Sequence, residues 1–289
     1  MGAFVKQLGL IGCGLMGGSF ALAMKQAGLV SRVVGYSKSP SSSARALQLG
    51  IIDHAHASAE EAAVGCDLVL IAVPVASTES TLRSLSQVLT SNALVMDVGS
   101  TKQDVLQAAR QALGTSFEFF VPAHPIAGKE LAGIEHADAS LYRGRQVILT
   151  PDADTSPAQL EKARAVWAAL GCRVVEMSAT DHDAAFATVS HLPHLLAFAY
   201  MNGVRSQDDG DRYLALAGTG FRDFSRIAAS EPTMWRDILM ANREELHKQT
   251  QLFRLQLDRL DAAMAQGDGQ ALQELIRLAS DARAKWQLP

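Results

Sequence analysis

Residues 7–24 constrain the fold more than any other stretch. An apolar run from Gln7 to Ile11 leads straight into Gly12-Cys13-Gly14-Leu15-Met16-Gly17, after which Phe20, Leu22, Ala23 and Met24 fall at helical spacing. A strand, a G-x-G-x-x-G turn and a helix in that order need glycine for three separate reasons. Gly12 makes the tight turn, Gly14 lets backbone approach a pyrophosphate, and Gly17 lets helix and strand pack closely. The free N–H groups at the helix start then face the phosphates. The plainer reading is a glycine turn without a ligand, but its flanking strand and helix favour a dinucleotide site.

The same alternation continues along the chain. Short, mostly β-branched runs at 32–36, 67–73, 93–98, 119–123, 146–149 and 173–177 lack clean polar alternation, as expected for strands covered on both faces, and the segments between them are long enough for crossover helices. The pattern predicts an α/β fold with a Rossmann-type, mostly parallel sheet. After Ser178 such runs stop. Thr180 and Asp181 are positioned to cap a helix over 182–204, residues 206–211 are a polar breaker, and everything beyond reads helical. The predicted division is a dinucleotide-binding domain over 1–178 and an all-helical domain over 179–289. Leu239, Leu246, Phe253 and Leu260 recur every seven residues, and Leu272, Leu275, Ile276 and Ala279 extend the stripe. It reads equally as a subunit interface or as the core of an intramolecular bundle.

Composition removes several classes of function. Among 289 residues, 26 basic against 30 acidic side chains leave no basic excess of the kind that draws nucleic acid, so nucleic acid is not an expected partner. No apolar stretch reaches the roughly 18 to 20 residues that span a bilayer, and no membrane association is expected. The cysteines Cys13, Cys66 and Cys172 are widely spaced without a CxxC pair, which fits a reducing, cytoplasmic setting rather than a disulfide framework or zinc ribbon. His182, His191 and His194 lack the HExxH or carboxylate spacing of a metal site, and no metal is expected. His54, His56, His136 and His247 sit in polar contexts and read as solvated.

The second strand ends Tyr36-Ser37-Lys38-Ser39, without the acid that usually accepts from an NAD ribose. Ser37 and Lys38, with Arg45 downstream, instead suit a 2′-phosphate, so NADP is favoured over NAD; Lys38 read plainly is a solvated loop charge. Cys13 inside the glycine turn reads as a small filler more readily than as an activated thiol. Ligands of open α/β sheets sit at the carboxyl ends of strands, and three such loops are chemically loaded: Val73-Pro74-Val75, 97–102 with Ser100, and 123–130 with His124 and Glu130. Val73 and Pro74 join Gly12, Gly14, Leu15, Met16, Gly17, Ser37 and Lys38 as candidate cofactor contacts. His124, at a predicted strand end, is placed to take a hydroxyl proton as hydride departs. Ser190 and His194 are four apart on one helical face, and so are Arg222 and Arg226, which together would suit carboxylates. The arginine pair reads equally as local salt bridging, since Asp223 lies three residues before Arg226.

Taken together, the glycine turn, Asp97-Val-Gly-Ser-Thr-Lys102, His124-Pro-Ile-Ala-Gly-Lys-Glu130, Ser190-His-Leu-Pro-His194 and the run 220–228 resemble the prephenate/arogenate (cyclohexadienyl) dehydrogenase family of tyrosine biosynthesis, in order over residues 6 to about 240. The resemblance implies oxidative decarboxylation of a dicarboxylate cyclohexadienol with NADP or NAD, a homodimer through the helical domain, and a catalytic role for His124. It further implies Arg226 as ligand of the ring carboxylate and His194 as a donor in the substrate pocket. Arg222 stays open. Ser100 is placed to bond His124 or the substrate hydroxyl, and Glu130 to close the site or bind a side-chain amine. Two alternatives stand beside this reading: a β-hydroxyacid dehydrogenase, whose lysine-based motif is not found, and a non-catalytic NADP sensor, which would have no use for His124, Ser190, His194 and Arg226 together.

Overall fold

Strands that are apolar on both sides need a layer above and a layer below. In the computed structural model, which describes residues 4–90, 93–129 and 131–287, the first half of the chain meets that need with a parallel sheet. Its strands are β1 (Val5–Ile11), β2 (Val30–Tyr36), β3 (His54–Ala55), β4 (Leu68–Ile71), β5 (Leu94–Asp97) and β6 (Phe120–Val121). They form one six-stranded sheet in the order β3-β2-β1-β4-β5-β6, parallel at every pairing. All of β4 and β5 is buried. β3 has two residues and no apolar run, which is why sequence pattern does not reveal it.

Helices α1 (Leu15–Gln26) and α2 (Pro40–Gln48) contribute to one apolar layer, while α3 (Ala59–Ala63), α4 (Thr78–Leu85) and α5 (Gln103–Leu113) build the other. The first layer also takes α6 (Pro157–Ala169), whose Trp167 meets Phe20 and Tyr142 edge-on with ring centroids 5.0 and 5.3 Å away. The Tyr142 hydroxyl donates to the Met16 carbonyl at 2.7 Å, which fastens the first turn of α1.

The run 119–123, expected as one strand, breaks at Pro122. Proline has no amide to give a ladder, and the chain changes sheets there. β7 (Ala123–Pro125) leaves β6 and pairs antiparallel with β8 (Gln146–Leu149), which pairs parallel with β9 (Arg173–Glu176) in a separate three-stranded sheet. This departure carries His124 off the main sheet's edge.

Beyond Ser178 the described chain is helical: α7 (Ala179–Phe186), one π-type turn over Ala187–His191, α8 (Leu192–Arg205), α9 (Gly210–Ala215), α10 (Thr219–Ser225), α11 (Pro232–Ala241), α12 (Arg243–Ala265) and α13 (Gly269–Lys285). The cap of α7 is Ser178, whose side chain accepts from the Asp181 N–H, rather than Thr180 or Asp181. Secondary structure changes type at Ser178, but packing divides the chain later, into one unit ending at Asn242 and a second beginning at Arg243. The second unit is the α12–α13 pair, with Asp268 accepting from the Ala271 N–H to start α13. Leu252, Leu255, Met264, Ile276 and Leu278 are each more than half exposed on it. Among the described residues no helix is long and apolar enough to cross a membrane.

Candidate active site

The glycine turn lies where the strand order reverses, between β1 and β4. Gly12 has φ +105°, and a Cβ there would meet the Ala72 carbonyl oxygen at 2.3 Å, so the turn admits only glycine. A Cβ on Gly17 would meet the Gly12 carbonyl oxygen at 2.4 Å, whereas one on Gly14 would meet nothing within 4 Å. Close packing behind the turn and open space before it are what a pyrophosphate cradle needs, and α1 starts at Leu15 without a side-chain cap or an acid in its first turn. Leu15, Met16 and Val73 are partly buried around it and Pro74 is exposed.

The Gly12 N–H donates to the Tyr36 carbonyl at 2.8 Å, which sets the end of β2 beside the turn. Ser37 follows half-buried and Lys38 exposed, with Ser39 and Ser41 hydroxyls 2.8 Å apart at the start of α2. Arg45 is engaged elsewhere, with Glu135 at 3.5 Å and Gln48. Burial pushes the Cys13 thiol up to about 11, so the filler reading holds.

Asp97 and Lys102, read from sequence as part of a chemically loaded loop, are buried scaffold. One Asp97 oxygen accepts from Lys102 Nζ at 2.5 Å and from the Gly99 N–H, and the other from the Ala123 N–H at 3.0 Å. Lys102 Nζ also donates to the Ala123 carbonyl at 3.0 Å. The ion pair therefore holds Ala123 by both backbone groups, and the next residue is His124.

His124 Nδ1 lies 2.8 Å from His182 Nε2, and His182 Nδ1 lies 2.8 Å from Asp183 Oδ1. Asp183 also accepts the Lys102 and Gln103 N–H groups, both at 2.9 Å, at the start of α5. Burial works to raise the Asp183 pKa, but the bond to His182 and these amides outweigh it and hold the carboxyl below its ordinary value. An ionised Asp183 is acceptor-only, so His182 carries its proton on Nδ1 and accepts at Nε2 from His124 Nδ1–H. The remaining nitrogen of His124, Nε2, is left with a lone pair. Burial first, then the charges of His182, Lys102 and His191, hold His124 well below 6.5, so the ring is neutral near neutral pH. The Phe186 ring covers both imidazoles, with centroids 4.7 Å from His124 and 4.4 Å from His182. The outcome is a neutral, oriented imidazole, partly buried.

His182 and Asp183 lie outside the motifs quoted above, where His182 reads only as a candidate metal ligand; the adjacent His-Asp pair just past the capping serine is the signal in the sequence that points to them. Ser100 sits half-buried in the loop after β5 and makes no hydrogen bond to His124 among the described residues, His124 Nδ1 being bonded to His182. Glu130 lies outside the described residues. Among these, no group of three or more His, Cys, Asp or Glu side chains is placed to hold a metal ion.

On the helical side, the face-sharing of Ser190 and His194 appears as a bond from His194 Nδ1–H to the Ser190 carbonyl at 2.9 Å. The His194 ring stacks on Trp235 with centroids 3.5 Å apart. Burial lowers the His194 pKa, and nearby Arg226 lowers it further. A neutral His194 bonded through Nδ1–H presents Nε2 as an acceptor, the reverse of the donor expected of it. Arg226 thus stands near His194, while Arg222 is exposed and pairs with Asp223 at 3.1 Å. The structure brings His124, His182, Asp183, His191, His194 and Arg226 into one electrostatic neighbourhood and turns Arg222 toward its own neighbour.

A glycine cradle at the switch point of a parallel sheet, accompanied by a neutral base oriented through a carboxylate, defines a nicotinamide-dependent oxidoreductase. The particular family follows from comparison: the chain belongs to the prephenate dehydrogenase family, with residues 20–176 matching the model for prephenate dehydrogenase, nucleotide-binding domain, and residues 178–278 that for prephenate dehydrogenase, dimerization domain. It is 33% identical over 276 residues to the prephenate dehydrogenase of Bacillus subtilis, covering 95% of this chain and 74% of that one. It is likewise 33% identical over 280 residues to the cyclohexadienyl dehydrogenase of Zymomonas mobilis, covering 96% and 95%. Prephenate dehydrogenase from Aquifex aeolicus, solved in complex with hydroxyphenyl propionate and NAD+, is similar at a TM-score of 0.90 and 35% identity, over 97% of this chain and 98% of that one. Family membership sets aside both the β-hydroxyacid dehydrogenase and the non-catalytic sensor.

Proposed function

We propose that the chain oxidatively decarboxylates prephenate, arogenate or both, with NADP favoured over NAD as hydride acceptor. The observation that carries this reading is the hydrogen-bonded chain from Asp183 through His182 to His124, which leaves His124 Nε2 as a base. The nicotinamide, bound through the glycine turn, supplies the acceptor for the hydride leaving C4 of the substrate. His124 takes the C4 hydroxyl proton. The ring carboxylate then departs as CO2, the electron pair of its broken bond moves through the ring to the C4 oxygen, and that oxygen takes the proton back from His124 to give an aromatic phenol, which makes the step effectively irreversible. The hydroxyphenyl propionate held by the Aquifex relative has the shape of such a product. The cofactor does the hydride chemistry, and the chain supplies position and charge.

Arg226 would grip the ring carboxylate, with His194 and Ser190 beside it. Arg226→Ala is expected to raise the substrate KM by about 10- to 100-fold, the worth of a charge-assisted hydrogen bond, with a smaller change in kcat. An unchanged KM removes Arg226 from the pocket.

A four-way comparison of kcat/KM, two substrates against two cofactors, read by the absorbance of the reduced nicotinamide, tests the activity and ranks the cofactors. The absence of a carboxylate after Tyr36 and the presence of Ser37 and Lys38 support NADP. Lys38→Ala should lower the NADP-to-NAD ratio of kcat/KM by about 10-fold, the scale of one charge-assisted contact; an unmoved ratio returns Lys38 to the solvated loop. Residues 1–178 would serve the nucleotide and 179–289 the substrate and a homodimer, the exposed apolar side chains of α12 and α13 being the surface a second copy would cover. The free thiols fit a reducing, cytoplasmic setting.

A further inference from the structure

Asn242 caps the C-terminus of α11, seven residues after Trp235 and so about two turns further along the same face. Both residues address histidines. Trp235 stacks on His194 and meets His191 edge-on at 6.2 Å between ring centroids. Asn242 is buried, and its Nδ2 lies 2.8 Å from the Asp183 carbonyl oxygen and 3.1 Å from His191 Nδ1. A flipped amide would set its oxygen against the Asp183 carbonyl, acceptor on acceptor, so the amide nitrogen must face both partners. His191 Nδ1 then accepts, and its proton resides on Nε2.

We propose that Asn242 is a positioning residue for the reaction: it tethers the Asp183 backbone and fixes His191 as the Nε2–H tautomer, so that the His182–Asp183 arm behind His124 keeps its register. The inference rests on His124 acting as the base. The geometry explains why an amide, rather than another residue of the same size, stands there. Asp183 and His182 of α7, His124 of β7 and His194 of α8 all lie close enough to act on His191 or be acted on by it. Burial holds His191 down at about 4, so it adds no charge to this crowd near neutral pH. Moving its proton to Nδ1 would set N–H against N–H at Asn242 and free the Asp183 carbonyl from its donor.

Two substitutions separate donation from shape. Asn242→Asp keeps the outline but removes the donor, whereas Asn242→Ser changes the outline and keeps an O–H. The expected order is a loss of kcat of about 10-fold or more for Asn242→Asp and a smaller loss for Asn242→Ser, with the KM for NADP little changed in both. Retention of activity by Asn242→Asp above that of Asn242→Ser would overturn the proposal, since a role in packing alone predicts that order. Histidine-selective 15N NMR on the unmodified protein decides independently: His191 protonated at Nε2 supports the tether, and protonation at Nδ1 overturns it. This readout needs no substrate, so failure of the unmodified chain to turn over prephenate or arogenate would strike the activity reading while the tautomer still judges Asn242.

Discussion

His124→Asn should lower kcat by about 10²- to 10⁴-fold, the range typical of a general acid–base group, and leave binding of the nicotinamide cofactor close to that of the unmodified chain. The asparagine amide can still donate to His182 Nε2, so the arm behind it is not orphaned, but nothing remains to accept the substrate's hydroxyl proton. The glycine turn lies on a different strand and is untouched. Steady-state kinetics at saturating cofactor, with cofactor affinity measured separately, checks both halves. A kcat within a few-fold of the unmodified enzyme rejects the assignment. The pH dependence carries a sign as well. The base works when unprotonated, and burial holds His124 well below 6.5, so kcat should stay level from the alkaline side through neutrality and fall only at pH well under that value. A limb centred at or above 6.5 would mean a solvated ring.

Lys102→Met costs about 3–5 kcal/mol of stability, the penalty for leaving one member of a buried ion pair without the other. Asp97 would keep its contacts to the Gly99 and Ala123 amides, which satisfy two acceptor sites but carry no full charge. Because Lys102 also holds the Ala123 carbonyl, the loss reaches the backbone just before His124, and kcat should fall with stability. Denaturant unfolding measures the first effect. Adding Asp97→Asn should recover part of it, since the uncompensated charge is then gone. A single-variant loss under about 1 kcal/mol would show that the carboxylate is accommodated without its partner.

The nucleotide half was legible because each requirement falls on a residue type that nothing else can replace: Gly12 at φ +105° and Gly17 against the Gly12 carbonyl leave no room for a side chain. Long apolar runs gave β1, β2, β4 and β5 for a similar reason, burial on both faces. Local signals failed where a contact spans distant segments. His182 and His124 are 58 positions apart, and neither neighbourhood hints at the other. That Asp223 pairs with Arg222 was beyond spacing alone, because both arginines were within reach on the helix. The inverted polarity of His194 depends on which ring nitrogen meets the Ser190 carbonyl, a matter of rotamer rather than of sequence. Pro122 is a readable clue of another kind: it stands inside a run that reads as a strand and marks where the chain changes sheets.

Asp183 gives one oxygen to His182 and the Lys102 amide and the other to the Gln103 amide, so a single carboxylate both starts α5 and aims the base. A movement that draws α7 away from α5 therefore exposes two helix amides and releases the imidazole together, so the aim of the ring is tied to the docking of these two helices.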